Sequence, residues 1–267
     1  MRLLTLAAFA LLAAAPASAQ LAAPSRAGVT YGHVHLNVVE MDVHTAIWAE
    51  HFGGQIVTKG PLTVVKLPNI LIAFTERAPT APSQGSVIDH FGLKVPAIGP
   101  VVQRWRAAGL EVQRESFIGA EGVPNAYLLA PDGIRIELQE DPAQTVPVTG
   151  YHVHFLTPAF QSTMEWYADF FAANVRPRGT LTTTADVPGM NLTFANCAEQ
   201  CAPTVGRAID HIGFEIDNLV EFVARMQARG IVFEREPRYI ESIGLTIAYF
   251  TDPSGVRVEL TEGYDLY

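Results

Sequence analysis

Two imidazoles and one carboxylate recur in both halves of the chain. His33, His90 and Glu137 occur in the first half, and His152, His211 and Glu259 in the second. The spacings are 57 and 47 residues in one set and 59 and 48 in the other. Two neutral imidazoles and a carboxylate on strands can form a facial triad with open coordination positions, a donor set that suits Fe(II), Mn(II), Zn(II) or Ni(II). An open site lets the ion polarise a bound oxygen or activate water. A lone histidine on a strand is ordinarily a satisfied buried residue. The repetition of all three positions argues otherwise, because a buried glutamate without a partner is costly and here that cost recurs.

Four similar elements must position these groups. The segments Gly32-His33-Val34-His35-Leu36, Asp89-His90-Phe91-Gly92-Leu93, Tyr151-His152-Val153-His154-Phe155 and Asp210-His211-Ile212-Gly213-Phe214 open alike, in steps of 57, 62 and 59 residues. Each reads as a strand followed by a helical pattern, and Gly53, Gly109 and Gly230 end three of the helices. Paired strand-like runs come next. Val64 to Leu67 and Ile70 to Phe74 turn at Pro68-Asn69, Ala126 to Leu129 and Ile134 to Leu138 at Pro131-Asp132-Gly133, and Thr246 to Phe250 and Val256 to Leu260 at Asp252-Pro253-Ser254-Gly255. The third copy is weakest at its end, around Leu192 to Phe194. Side chains alternate faces along a strand. With Ile134, Ile136 and Leu138 on one face, Arg135 and Glu137 take the other.

The expected fold is therefore α+β: four βαβββ modules paired into two domains, with curved mixed sheets around metal-binding clefts. The expected domains are 28–141 and 150–263, each pairing its own two modules, with a linker from Asp141 to Thr149.

The chain has 267 residues, 49% of them hydrophobic and 17% charged, which is enough for two globular domains with sizeable cores. A net charge of -9 with no basic run excludes a nucleic-acid partner. Residues 1–19 have the layout of a secretory signal peptide, with Arg2, an apolar run from Leu3 to Ala15 and the A-x-A site Ala17-Ser18-Ala19. Cleavage after Ala19 would place the mature protein in the periplasm or outside the cell, with no membrane contact. There Cys197 and Cys201 could form a local disulfide or stay free, since two thiols without a nearby histidine do not complete a metal site.

These residues resemble the vicinal oxygen chelate superfamily, which includes glyoxalase I, fosfomycin- and bleomycin-resistance proteins and extradiol dioxygenases. The likeness spans about residues 30 to 263. It rests on the His-led strands, on the segments Ile47 to Gly54 and Glu165 to Phe171, and on the closing run Asp252 to Leu260. The resemblance implies a divalent metal ion and a small oxygenated substrate chelated through adjacent oxygens. It picks His33 and His152 as ligands over His35 and His154, which resemble positions that touch substrate. Tyr127 and Tyr249, each ten residues before a ligand glutamate, resemble the substrate-side tyrosine of the family. Two departures stand out. Ala73 and Thr193 occupy the places where glyoxalase I carries a second glutamate, and Glu241-Ser242-Ile243-Gly244 lacks the extradiol signature histidine. The resemblance thus implies a lyase, an isomerase or a ring-cleaving dioxygenase, as a monomer or homodimer. The alternative is a non-catalytic periplasmic binding protein of the bleomycin-resistance type.

Overall fold

The computed structural model describes residues 21–197 and 201–267. The leader expected at 1–19 lies outside the described residues. The first module comprises β1 (Val29–Val38), α1 (Met41–Phe52), β2 (Gln55–Lys59), β3 (Leu62–Leu67) and β4 (Ile70–Glu76). The second has β5 (Ile88–Val95), α2 (Ile98–Ala107), β6 (Glu111–Ile118), β7 (Pro124–Ala130) and β8 (Ile134–Glu140). The third has β9 (Thr149–Leu156), α3 (Phe160–Phe171), β10 (Asn174–Val175), β11 (Thr184–Val187) and β12 (Met190–Ala195). The fourth has β13 (Ile209–Ile216), α4 (Leu219–Ala228), β14 (Phe233–Ile240), β15 (Leu245–Thr251) and β16 (Arg257–Glu262). The third copy is irregular earlier than expected: Leu192 to Phe194 lie in the regular strand β12, and the short strands are β10 and β11.

The modules form two curved, open eight-stranded sheets. Their pairing corrects the sequence expectation, because modules do not pair within halves. An outer sheet joins modules one and four in the order β14-β15-β16-β13-β1-β4-β3-β2. An inner sheet joins modules two and three in the order β10-β11-β12-β9-β5-β8-β7-β6. Residues 28–141 and 150–263 each give one module to each sheet. The seams are antiparallel, β1 against β13 and β5 against β9, and within each module the first and last strands run parallel. All four leading strands carry the same alternation, so pattern alone fits either pairing.

One apolar core holds the four helices between the two sheets. Trp48 of α1 packs 5.7 Å from Phe91 of β5, and Phe171 of α3 lies 4.4 Å from Phe214 of β13, so a helix of each sheet reaches the other sheet. Two closing-turn aspartates fasten this arrangement. Tyr167 of α3 donates to Asp252 at 2.8 Å, and Asp132 bonds Nε2 of His44 of α1 at 3.0 Å. Asp252 also accepts from the amides of Ser254 and Val256 within its own turn. Every core-facing side chain commits its strand neighbour to the opposite face. Ile134, Ile136 and Leu138 are buried in the core, and Glu137 faces the concave side. Cys197 and Cys201 form a disulfide.

Candidate metal centres

On the concave face of the outer sheet, His33 (β1), His211 (β13) and Glu259 (β16) converge. On the inner sheet, His152 (β9), His90 (β5) and Glu137 (β8) do the same. All six residues singled out from the sequence therefore lie in two clusters. The expected grouping is corrected: His33 does not meet His90 and Glu137, nor does His152 meet His211 and Glu259. The cause is the nested pairing, which puts β1 beside β13 and β9 beside β5.

The two clusters share one geometry. Nε2 of His33 and Nε2 of His211 each lie 2.9 Å from the same oxygen, Oε2 of Glu259. Nε2 of His90 and Nε2 of His152 lie 2.9 and 3.0 Å from Oε2 of Glu137. Both carboxylates are buried, 4% exposed for Glu259 and 7% for Glu137. Burial pushes each carboxyl up, but the hydrogen bonds and charge of the paired imidazoles outweigh it and hold both well below the ordinary carboxylate range. Burial lowers His33, and lowers His152 to about 4, which keeps these imidazoles neutral.

Residues that the sequence reading did not single out complete the support. Nδ1 of His211 lies 2.6 Å from Asp210, and Nδ1 of His90 lies 2.7 Å from Asp89. An aspartate accepting from Nδ1–H fixes the tautomer that turns the Nε2 lone pair toward the cluster. Burial lowers His90 and His211, and the bonds to Asp and Glu overcome it, leaving both raised. Arg135 donates to Asp89 at 2.7 Å, and Arg257 stands 3.8 Å from Asp210. The signal was present as Asp-His at the opening of both even modules. A second repeated signal is His-x-Gly. A Cβ on Gly213 would meet Cε1 of His33 at 1.9 Å, and one on Gly92 would meet Cε1 of His152 at 2.0 Å. These glycines make room for the imidazole from the neighbouring strand.

His35 and His154 share the concave face. Nε2 of His35 pairs with Oγ1 of Thr75 at 2.8 Å. The Tyr249 ring lies 5.5 Å from that of His211, and the Tyr127 ring 5.4 Å from that of His90. Burial and the adjacent glutamate raise both phenols, so they are donors at any ordinary pH. Ala73 and Thr193 lie opposite His35 and His154 and supply no carboxylate.

The linings of the clefts differ. The outer cleft is apolar, with Val64, Leu71, Ala73, Leu245 and Ile247 buried, and Tyr264 covers His33 at 5.2 Å between ring centres. The inner cleft is polar. Asn125 donates to Oε1 of Glu137 at 2.6 Å, and buried Arg178 reaches Glu121 at 2.8 Å and Thr193 at 3.0 Å.

The donor set fits a divalent cation: two imidazole nitrogens and a carboxylate oxygen in each cluster, close enough to meet one ion and braced from behind.

Comparison with known proteins agrees with this architecture. Residues 118–260, just over half of the chain, match the family described as the Glyoxalase/Bleomycin resistance protein/Dioxygenase superfamily. Glyoxalase I from Zea mays is similar in structure at 16% identity, with 89% of this chain and 94% of that one covered and a TM-score of 0.69. A dioxygenase candidate from Bacillus subtilis is similar at 12% identity, with 92% and 87% covered and a TM-score of 0.66. No curated protein sequence matches the chain. With the repeated module, the two mixed sheets and the family match in agreement, the chain belongs to the Glyoxalase/Bleomycin resistance protein/Dioxygenase superfamily.

Proposed function

We propose that the chain is a divalent-metal-dependent enzyme acting on a small molecule chelated through adjacent oxygens. The metal ligands are His33, His211 and Glu259 in the outer cleft and His90, His152 and Glu137 in the inner one. The observation that carries this reading is the convergence of two imidazole Nε2 atoms on one carboxylate oxygen, repeated in both clefts. The aspartate braces behind His90 and His211 are the outer support that metal-ligating imidazoles carry.

When bound, the metal would polarise the chelated oxygens as a Lewis acid. The chain's own groups do the rest. Tyr127 and Tyr249, held protonated, donate hydrogen bonds to a substrate oxygen on the open side of His90 and His211. Asn125 holds Oε1 of Glu137 in place. The apolar walls of the outer cleft keep water from its reacting centre. The differing linings suit the two clefts to substrates of different polarity. Lyase or isomerase chemistry and ring-cleaving oxygenation are the reactions that such a site supports. The leader at 1–19, cut after Ala19, would deliver this activity outside the cytoplasm.

Titration calorimetry of the metal-free protein with Mn(II), Zn(II), Ni(II) and Fe(II) tests the reading. It is followed by thermal melting with 2-hydroxy acids, 2-oxoaldehydes and catechols. Stabilisation by one of these compounds only in the metal-loaded protein is the expected result. Equal stabilisation without metal would make the chain a binding protein that does not use the clusters.

A further inference from the structure

We propose that His35 and His154 are metal ligands, so that each centre is built from three imidazoles and one carboxylate. The inference rests on the metal reading above and goes beyond its three-ligand sets. In each cleft, one donor atom from each of four residues lies within 4.8 Å of the other three: His33, His35, His211 and Glu259 in one, His90, His152, His154 and Glu137 in the other. A two-residue step along a strand keeps His35 on the face of His33 and His154 on the face of His152. Cross-strand register sets His35 opposite His211 and His154 opposite His90. The ring centres of these pairs are 4.3 and 4.8 Å apart.

The unmatched atoms point the same way. Nδ1 of His35 and Nε2 of His154 are buried without a hydrogen-bond partner. Burying such an atom unpaired is costly, and the chain carries this feature in both clefts. At His35 the other nitrogen is already engaged. In the tautomer whose Nε2–H donates to Thr75, Nδ1 keeps its lone pair for an ion. Apart from Thr75 on Nε2 of His35, the residues set opposite these histidines bring no donor to them. Ala73 has none, and the Thr193 hydroxyl donates to Asn191 and accepts from Arg178.

The fourth imidazole has a chemical consequence. His35 and His154 would hold the ion together with the other three donors of each cluster, and the ion would polarise the oxygens of a chelated substrate. One carboxylate against a divalent ion leaves a net charge of +1, because Asp89 and Asp210 are matched by Arg135 and Arg257 behind the ligands. The site therefore takes a singly charged oxygen chelate, such as a 2-hydroxy acid or an ionised 2-hydroxycarbonyl compound.

X-ray absorption spectroscopy of the Zn(II)-loaded protein counts the imidazoles, and the double variant His35→Gln/His154→Gln is compared by Zn(II) titration. The expected count is three per ion, falling to two in the variant. Binding should weaken by at least the ~10–100-fold typical of losing a group that merely supports a ligand. Two imidazoles in the wild-type spectrum, or an unchanged affinity in the variant, would overturn the fourth ligand and leave the metal reading standing. Failure of the wild-type protein to take up Zn(II) would overturn both. The wild-type count decides the matter even where the variant is poorly folded.

Discussion

His33 and Glu259 are 226 residues apart in the chain and meet at 2.9 Å across the outer cleft. The matching pair in the inner cleft, His152 and Glu137, is 15 residues apart and meets at 3.0 Å. One local geometry is thus built twice, once by the two ends of the chain and once by its middle. The strand seams explain this, since His33 stands opposite Gly213 and His152 opposite Gly92.

Those two glycines give the first prediction. In Gly213→Ala the new methyl would sit 1.9 Å from the His33 ring, so the ring must move. Overpacking of this kind costs about 1–3 kcal/mol. Thermal unfolding should register that loss, and metal analysis should show the outer ion lost with the inner one kept. Gly92→Ala should give the reverse pattern. Two ions retained by both variants would show that the glycines do not cradle the ligands.

Asp210→Asn and Asp89→Asn probe the braces behind His211 and His90. Each replaces the charged carboxylate that holds Nδ1–H, at 2.6 and 2.7 Å, by a neutral amide, without touching a metal-facing atom. Metal affinity at the corresponding centre should fall by roughly 10–100-fold. Competition against a chelator of known affinity measures it, and no change would mean that the tautomer is set by other contacts.

Glu215 predicts a pH effect on stability. It is buried on β13, where its carboxyl accepts from Thr261 and from the amides of Gly263 and Tyr264, the turn that covers His33. Burial raises it from the ordinary 4.5 to about 7, against the opposing effect of those bonds. Between these values the folded chain keeps a proton that the unfolded chain gives up. Its contribution is therefore fully present below about pH 4.5 and is lost as pH rises through about 7, by at most about 3 kcal/mol. Glu215→Gln retains one acceptor oxygen and cannot ionise. Melting curves at pH 5 and pH 8 should show the variant gaining on the wild type at pH 8. Parallel curves would place Glu215 outside the acid–base balance of folding.

Much of this was legible in the sequence because it is encoded locally. Alternation placed Ile134, Ile136 and Leu138 in the core and left Glu137 on the other face, and the Asp-Pro-Ser-Gly and Pro-Asp-Gly turns marked two of the hairpins. The repeat itself picked out all six ligand candidates. The partnership between modules was not legible. Four leading strands with the same pattern can be zipped in more than one order, and the seam is chosen by register and helix packing over the whole chain. That is why His33 was expected beside His90 and is found beside His211. The roles of Asp89 and Asp210 were visible as repeated letters but needed the ring orientation to acquire meaning. The cover that Tyr264 forms over His33 carries no repeat signal, because among the described residues no other module ends in such a turn.

The central claim is that the chain holds two metal centres, each built from modules that are not paired within a half. Metal content by elemental analysis tests it most directly, on the metal-replete wild type, Glu137→Gln, Glu259→Gln and the double variants His33→Ala/Glu259→Gln and His33→Ala/Glu137→Gln. The account expects about two ions per chain in the wild type and about one in each single variant. His33→Ala/Glu259→Gln should keep one ion, since both changes fall in one centre, and His33→Ala/Glu137→Gln should keep none. No metal in the wild type would contradict the centres themselves, and the opposite pattern in the two double variants would contradict the way they are built.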